Sequence, residues 1–121
     1  ALELKVSGPF HSALLKGAGY KLSEELKNVV VNPMTIPYVC NAKAEVVTDV
    51  SQTKELLEKQ VYSPVRWQQT MELMIANGVT TFVEIGPGKT LSGFLKKIDK
   101  TVTVINIEKM EDLEKLEGIV C

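Results

Sequence analysis

The sequence predicts an α/β fold, a parallel sheet with flanking helices. Two observations carry this prediction, the spacing of apolar residues and the hydrophobic share of the chain. Along the 121 residues, segments with apolar side chains at every second position alternate with segments in which apolar side chains recur every three or four positions. Strands that alternate with helices in this way are typical of a parallel sheet with right-handed crossovers. The hydrophobic share of 45% suits a globular protein with a buried core.

The first half of the chain predicts a strand, an amphipathic helix and then short strands. Apolar residues recur every four positions along the helix, at Leu14, Ala18, Leu22 and Leu26. Ser12 is a candidate N-cap, and Gly17 and Gly19 weaken the helix relative to alanine. The predicted elements are a strand over 2–6, a helix from Ser12 to about Val30, and two short strands, or one interrupted strand, over 38–41 and 45–47.

The second half predicts more helices than strands. Ser63 and Pro64 look like the N-cap and first residue of a helix, which Asn77-Gly78 closes. The predicted elements are a helix capped by Asp49 or Ser51, a helix from Ser63 to Gly78, a strand over 81–85, a helix with Leu91, Phe94, Leu95 and Ile98 on one side, a strand over 102–105, and a charged helix over 110–116.

Composition excludes several classes of function. The net charge is −1 and lysines are scattered among glutamates, so we expect no nucleic-acid partner and no membrane surface. No apolar run approaches the ~18 residues of a membrane span, and no signal segment stands at the start, so we expect a cytoplasmic protein. Cys40 and Cys121 suggest two free thiols, neither a disulfide framework nor a metal site.

His11 is the only histidine and stands between the first predicted strand and the first predicted helix. Gly8 and Pro9 give a tight turn before it, so an imidazole at this corner is a candidate general base. The alternative is a half-buried histidine satisfied by a backbone carbonyl, and residue type alone favours that alternative. By its own residue type Gln60 would be a surface residue at a helix end.

Three motifs follow one another in the order of a known family. They are G-P-F-H-S at residues 8–12, Q-x-x-x-P-V-x-W at residues 60–67 and V-E-I-G-P-G-K-T-L at residues 83–91. Together they resemble the C-terminal part of malonyl-CoA:acyl carrier protein transacylases. The resemblance implies that residues 1–121 are a portion of the large hydrolase-like domain of such an acyltransferase, and that the N-terminal part with the nucleophile is absent.

The resemblance also implies roles for three residues. A serine in a G-x-S-x-G turn takes the acyl group in that family, and none of the six serines here has this setting. His11 would be the general base that activates the serine, and the main-chain carbonyl of Gln60 would orient His11. Phe10 would favour malonyl over the branched methylmalonyl group. Arg66, the only arginine, is not expected to bind the malonyl carboxylate.

The implied activity moves malonyl from CoA to acyl carrier protein in fatty acid biosynthesis. It needs no cofactor beyond its substrates, malonyl-CoA and phosphopantetheinylated acyl carrier protein. The expected partners are acyl carrier protein and the N-terminal half of the same domain, and the chain by itself is expected to be inactive. A different class remains open, a non-catalytic binding or structural module on the same scaffold.

The segment Gly86–Thr90 suggests a further alternative. Gly-Lys-Thr between a strand and a helix resembles the end of a phosphate-binding loop, but the earlier glycine of that motif would fall at Val83. Free N–H groups at the helix start could still bind an anion such as a CoA phosphate, which would make the chain an anion-binding domain. A tight turn between strand and helix is the simpler interpretation.

Overall fold

The computed structural model describes residues 8–119, so the strand predicted over residues 2–6 and the thiol of Cys121 lie outside the described residues. The chain divides after Thr70 into two compact units. The α-helices and strands of the described part are α1 (Lys16–Leu26), β1 (Tyr38–Cys40), β2 (Glu45–Val47), α2 (Thr53–Tyr62), α3 (Trp67–Ala76), β3 (Thr81–Ile85), α4 (Thr90–Ile98) and β4 (Thr103–Ile107).

In the first unit, β1 and β2 form an antiparallel hairpin with Val39 opposite Val46. They therefore do not join the parallel sheet that the alternation of elements predicted. The physical reason is length, since only residues 41–44 connect the two strands, whereas a parallel crossover needs a dozen or more residues. Ala44 closes the connection with a φ of 56°, and its N–H donates to the carbonyl of Cys40.

The core of the first unit lies between the hairpin and α2. Cys40, Val47 and Leu56 are all about 95% buried and pack together, with Met34 and Tyr38 against them. The Cys40 thiol is free and buried. Leu56 is thus the residue through which α2 is fixed on the hairpin.

Helix α1 packs closely against α2 at Gly19, which is buried. A methyl group added at Gly19 would lie 2.6 Å from the ring of Tyr62 and 3.2 Å from the carbonyl oxygen of Glu58. Gly19 is therefore a contact point between helices, in addition to the weak helix former that its residue type suggests.

The first helix is shorter than predicted at both ends. The segment Ala13–Leu15 is a 3₁₀-helix, and α1 ends at Leu26 although the prediction extended to about Val30. The N–H groups of residues 27–29 donate to carbonyls three positions earlier, which tightens the last turn. The β-branched run 29–31 then leaves the helix, because such side chains crowd the preceding turn.

The prediction that Ser63 and Pro64 begin a helix is wrong. Ser63 has extended backbone angles and ends α2, and α3 starts at Trp67. The N–H of Arg66, before the first turn of α3, donates to the main-chain carbonyl of Asn41 at 2.9 Å. A partner outside the helix, rather than a serine side chain, satisfies this group.

The second unit contains the parallel pair, which confirms the α/β class. Strand β3 has the bounds that the sequence predicts, and Val83 lies opposite Ile105 of β4. Strand β4 extends to Ile107, two residues beyond the prediction, and α4 connects the two strands and contacts β4. Gly78, with a φ of 87°, follows α3 as expected. The charged segment Met110–Leu116 is a 3₁₀-helix.

Candidate active site

His11 lies at a sharp corner before the first helical turn. Its φ of 56° is in the left-handed region, which non-glycine residues seldom occupy. The hydroxyl of Ser12 donates to the carbonyl of Pro9 at 2.7 Å, and the N–H of Leu15 donates to the carbonyl of Ser12 at 3.0 Å. Ser12 was predicted to cap the helix with its side chain, but this hydroxyl closes the corner. The corner leaves the His11 residue exposed.

Gln60 lies on α2, one turn after the buried Leu56, and is half-buried. Its main-chain carbonyl belongs to the last turn of the helix, where carbonyls lack a partner four residues ahead. The residue four positions ahead is Pro64, which has no N–H to donate. The Q-x-x-x-P spacing therefore leaves this carbonyl free of a regular helical hydrogen bond.

The two residues meet although they are 49 positions apart. Nδ1 of His11 lies 2.9 Å from the main-chain oxygen of Gln60. A carbonyl oxygen can only accept, so this contact places the ring proton on Nδ1 and leaves the lone pair on Nε2. The packing of α1 on α2 at Gly19 holds the corner that carries His11 beside the helix that carries Gln60.

Phe10 precedes His11 and is 66% exposed. Its ring lies against Gly8, at 3.4 Å from the place where a side-chain carbon would stand. A cavity of about 120 Å³ opens beside Gln60, and its lining includes Cys40, Asn41 and Leu57. This lining is mainly apolar, and the cavity lies wholly within the first unit.

The start of α4 is not open to an anion in the way that the Gly86–Thr90 segment suggests. The carboxylate of Glu84 accepts from the N–H groups of Leu91 at 3.1 Å and Ser92 at 2.9 Å. It also accepts from the Ser92 hydroxyl and, at 2.8 Å, from the side-chain amide of Asn106. Two N–H groups that a phosphate would use are thus occupied by a carboxylate of the chain itself.

These hydrogen bonds lower the pKa of Glu84 below its ordinary value, with the bond from the Ser92 hydroxyl as the largest cause. Asn106 also donates to the Ser92 oxygen at 2.7 Å, so the three side chains connect β3, α4 and β4. Sequence reasoning missed this cluster. Its signal was a carboxylate inside a strand, two residues before the turn that leads into a helix.

Two further findings concern the residues from 8 to 119. Within this range no group of three or more His, Cys, Asp or Glu residues is arranged to hold a metal ion. None of the helices described there is long and apolar enough to cross a bilayer.

Similarity to known proteins is extensive over this chain and partial over its relatives. No protein-family model matches. The chain is 45% identical over 114 residues to the malonyl CoA-acyl carrier protein transacylase of Bacillus subtilis, which covers 94% of this chain and 36% of that protein. The chain thus spans little more than a third of the length of this curated relative.

Solved structures give the same picture. A malonyl CoA-acyl carrier protein transacylase from Clostridium perfringens matches with a TM-score of 0.89 and 44% identity, over 98% of this chain and 38% of that one. A malonyl-transacylase in complex with a type II PKS acyl-carrier protein matches with a TM-score of 0.88 and 33% identity, over 94% of this chain and 37% of that one.

Proposed function

We propose that this chain, a homologue of part of the malonyl CoA-acyl carrier protein transacylases, supplies the general-base histidine of such an enzyme. The reaction would move malonyl from CoA to the phosphopantetheine thiol of acyl carrier protein, in fatty acid biosynthesis. The observation that carries the proposal is the 2.9 Å contact between Nδ1 of His11 and the main-chain oxygen of Gln60. It leaves Nε2 of an exposed imidazole free to accept a proton.

The proton moves in a fixed sequence. Nε2 of His11 takes the proton of a serine hydroxyl, and the serine oxygen attacks the thioester carbonyl of malonyl-CoA. The imidazolium then gives that proton to the departing CoA thiolate. In the second half His11 deprotonates the phosphopantetheine thiol, which attacks the acyl-serine, and returns the proton to the serine oxygen. The Gln60 carbonyl stabilises the imidazolium, as the carboxylate of a Ser-His-Asp triad does.

The serine lies outside this chain, because none of the six serines here stands in a G-x-S-x-G sequence. We therefore propose that residues 1–121 act together with a further segment that carries the nucleophile, and that acyl carrier protein and malonyl-CoA are partners of the two together. A relative of this chain forms a complex with an acyl-carrier protein, which supports that partner. No cofactor is needed for the steps above.

Phe10 is proposed to restrict the acyl group. It directly precedes His11 and its ring is largely exposed, so it can line the space in front of the imidazole. A bulky ring leaves little room for a branch on the α-carbon, which favours malonyl over methylmalonyl by the modest factor that a methyl group allows.

The test uses the complete protein that contains this chain. His11→Ala should lower malonyl transfer to acyl carrier protein by about 10²–10⁴-fold, the usual contribution of a general base. Lys21→Ala, at an exposed position of α1, is the control. Near-normal transfer by His11→Ala would contradict the assignment.

Intact-mass measurement after incubation with malonyl-CoA separates the enzyme from a non-catalytic module, since only the enzyme gains a malonyl group. The transfer assay repeated with methylmalonyl-CoA tests Phe10. Equal rates of malonyl and methylmalonyl transfer would contradict the proposed role of Phe10.

A further inference from the structure

We propose that the side chain of Gln60, besides its main-chain carbonyl, positions His11, with the amide oxygen Oε1 accepting from the same Nδ1–H. Gln60 is then a positioning residue that holds one ring proton between two oxygens. This inference rests on the proposed function for its consequence in catalysis, but the contact itself can be tested without any reaction.

The first argument is a conflict between two contacts on one ring nitrogen. Nδ1 of His11 lies 2.9 Å from the main-chain oxygen of Gln60 and 3.2 Å from the amide nitrogen Nε2 of the same residue. The main-chain oxygen requires a proton on Nδ1, whereas Nε2 requires a lone pair there. The position of the main-chain oxygen is fixed by the helix. The oxygen and nitrogen of the side-chain amide, in contrast, exchange places when the amide group turns by 180°. The half-turn puts Oε1 beside Nδ1–H and removes the conflict.

The second argument is burial. With Nε2 toward the ring, Oε1 is buried and has no hydrogen-bond partner among the described residues. The other contact of the amide, from Nε2 to the carbonyl oxygen of Ser63, is 3.5 Å long and therefore weak. The half-turn gives Oε1 the ring N–H as its donor, loses the long contact to Ser63, and moves the NH₂ group into the buried place that Oε1 leaves. The ring contact therefore decides the orientation, because a donor that faces a donor there is replaced by an acceptor.

The consequence is a ring fixed in tautomer and in rotation. The His11 residue is exposed and its backbone is in the left-handed region, so one hydrogen bond alone would hold the imidazole loosely. Two acceptors on either side of Nδ1–H disfavour both the Nε2–H tautomer and a turn of the ring about its bond to the main chain. The lone pair of Nε2 then points in one direction.

The experiment is ¹⁵N spectroscopy of the imidazole in the complete protein, with the His11 signals assigned by their loss in His11→Ala. Gln60→Leu removes the amide and leaves the main-chain carbonyl as the remaining acceptor, so we expect Nδ1 to stay mainly protonated and its signal to move part of the way toward that of an unprotonated nitrogen. Gln60→Glu keeps an oxygen in this place, and we expect Nδ1 to stay protonated. For Gln60→Leu we also expect kcat to fall about threefold to tenfold with KM unchanged, as for one neutral hydrogen bond.

Gln60→Met, with the unbranched shape of glutamine, repeats the test if Gln60→Leu unfolds, and thermal unfolding identifies that case. Unchanged ring signals in the folded Leu or Met variant would overturn the inference, as would an Nε2–H tautomer in the parent protein. Failure of the proposed function is a separate result. Full malonyl transfer by His11→Ala would contradict that function, whichever tautomer His11 has in the parent protein.

Discussion

His11 combines an uncommon backbone conformation with an imidazole that is hydrogen-bonded to a main-chain carbonyl. A left-handed conformation at a non-glycine residue costs about 1–3 kcal/mol and persists only where the surroundings enforce it. Here the Ser12 hydroxyl on the Pro9 carbonyl and the Gln60 carbonyl on the imidazole enforce it. Strained residues of this kind cluster at functional sites, so the observed φ of 56° supports the proposed role of His11 in catalysis.

Glu84 is the second residue whose environment is unusual, because four donors converge on one carboxylate. A carboxylate can only accept, whereas the amide of Glu84→Gln would turn an NH₂ group toward at least one of these donors. We expect the melting temperature of Glu84→Gln to be lower by a few degrees at pH 7. The measurement is thermal unfolding, with Glu117→Gln, at an exposed position, as the control.

This difference should depend on pH in a defined direction. The folded pKa of Glu84 lies below its ordinary value of 4.5, so its contribution to stability is complete above that value and is lost as the pH falls through the folded pKa. The melting temperatures of the parent and of Glu84→Gln should therefore converge on acidification from about pH 4.5 downward. A difference that is constant between pH 7 and pH 3 would contradict the role of the ionised carboxylate.

At the scale of elements, the two glycines of α1 have opposite roles. Gly17 has no atom within 4 Å of an added methyl group, whereas at Gly19 that group would overlap the Tyr62 ring and press on the Glu58 carbonyl. We expect Gly17→Ala to stabilise the protein by about 0.5–1 kcal/mol through helix propensity. Gly19→Ala should destabilise it by about 1–3 kcal/mol, because it separates α1 from α2.

Denaturant unfolding of the two single variants measures this contrast within one helix. In the complete protein that contains this chain, Gly19→Ala should also lower malonyl transfer, since the α1–α2 contact holds His11 beside Gln60. Equal stabilities for the two variants would show that the close approach at Gly19 does not matter.

At the scale of the whole molecule, β3 and β4 leave apolar surface uncovered. Among residues 8–119 no third strand pairs with either of them. Val83 and Ile85 are 41% and 80% exposed, although parallel sheets are normally covered on both faces and paired at their edges. The chain spans little more than a third of the length of its Bacillus subtilis relative. We expect the further segment proposed above to cover this apolar surface.

We expect this chain alone to transfer no malonyl group, because the proposed base, His11, has no serine in a G-x-S-x-G sequence to activate. We expect transfer to return when the proposed further segment is supplied. Mixing should also raise its melting temperature, since a partner that binds only the folded state stabilises it. Both parts would be expressed separately, mixed, and followed by transfer to acyl carrier protein and by thermal unfolding. Malonyl transfer by the chain alone would contradict the first expectation. A melting temperature that does not change when the other part is added would contradict the second.

The sequence by itself determined several of the local elements and the family resemblance. Strand β3, the end of a helix before Gly78 and a helix containing Leu91 and Ile98 were predicted correctly. Apolar periodicity and helix termination at glycine depend on only a few neighbouring residues. The resemblance carried by three ordered motifs is confirmed by a homologue at 45% identity. The α/β class followed from the order of the elements.

Only the tertiary structure decided the pairings. The contact of α1 with α2 at Gly19 and the contact of His11 with Gln60 join residues that no local pattern connects. Gln60 shows the reason most clearly. Taken alone it would be a surface residue at a helix end, and the fold brings its carbonyl to an imidazole 49 positions away. Periodicity reports which face of an element is apolar, whereas contacts depend on how those faces pack.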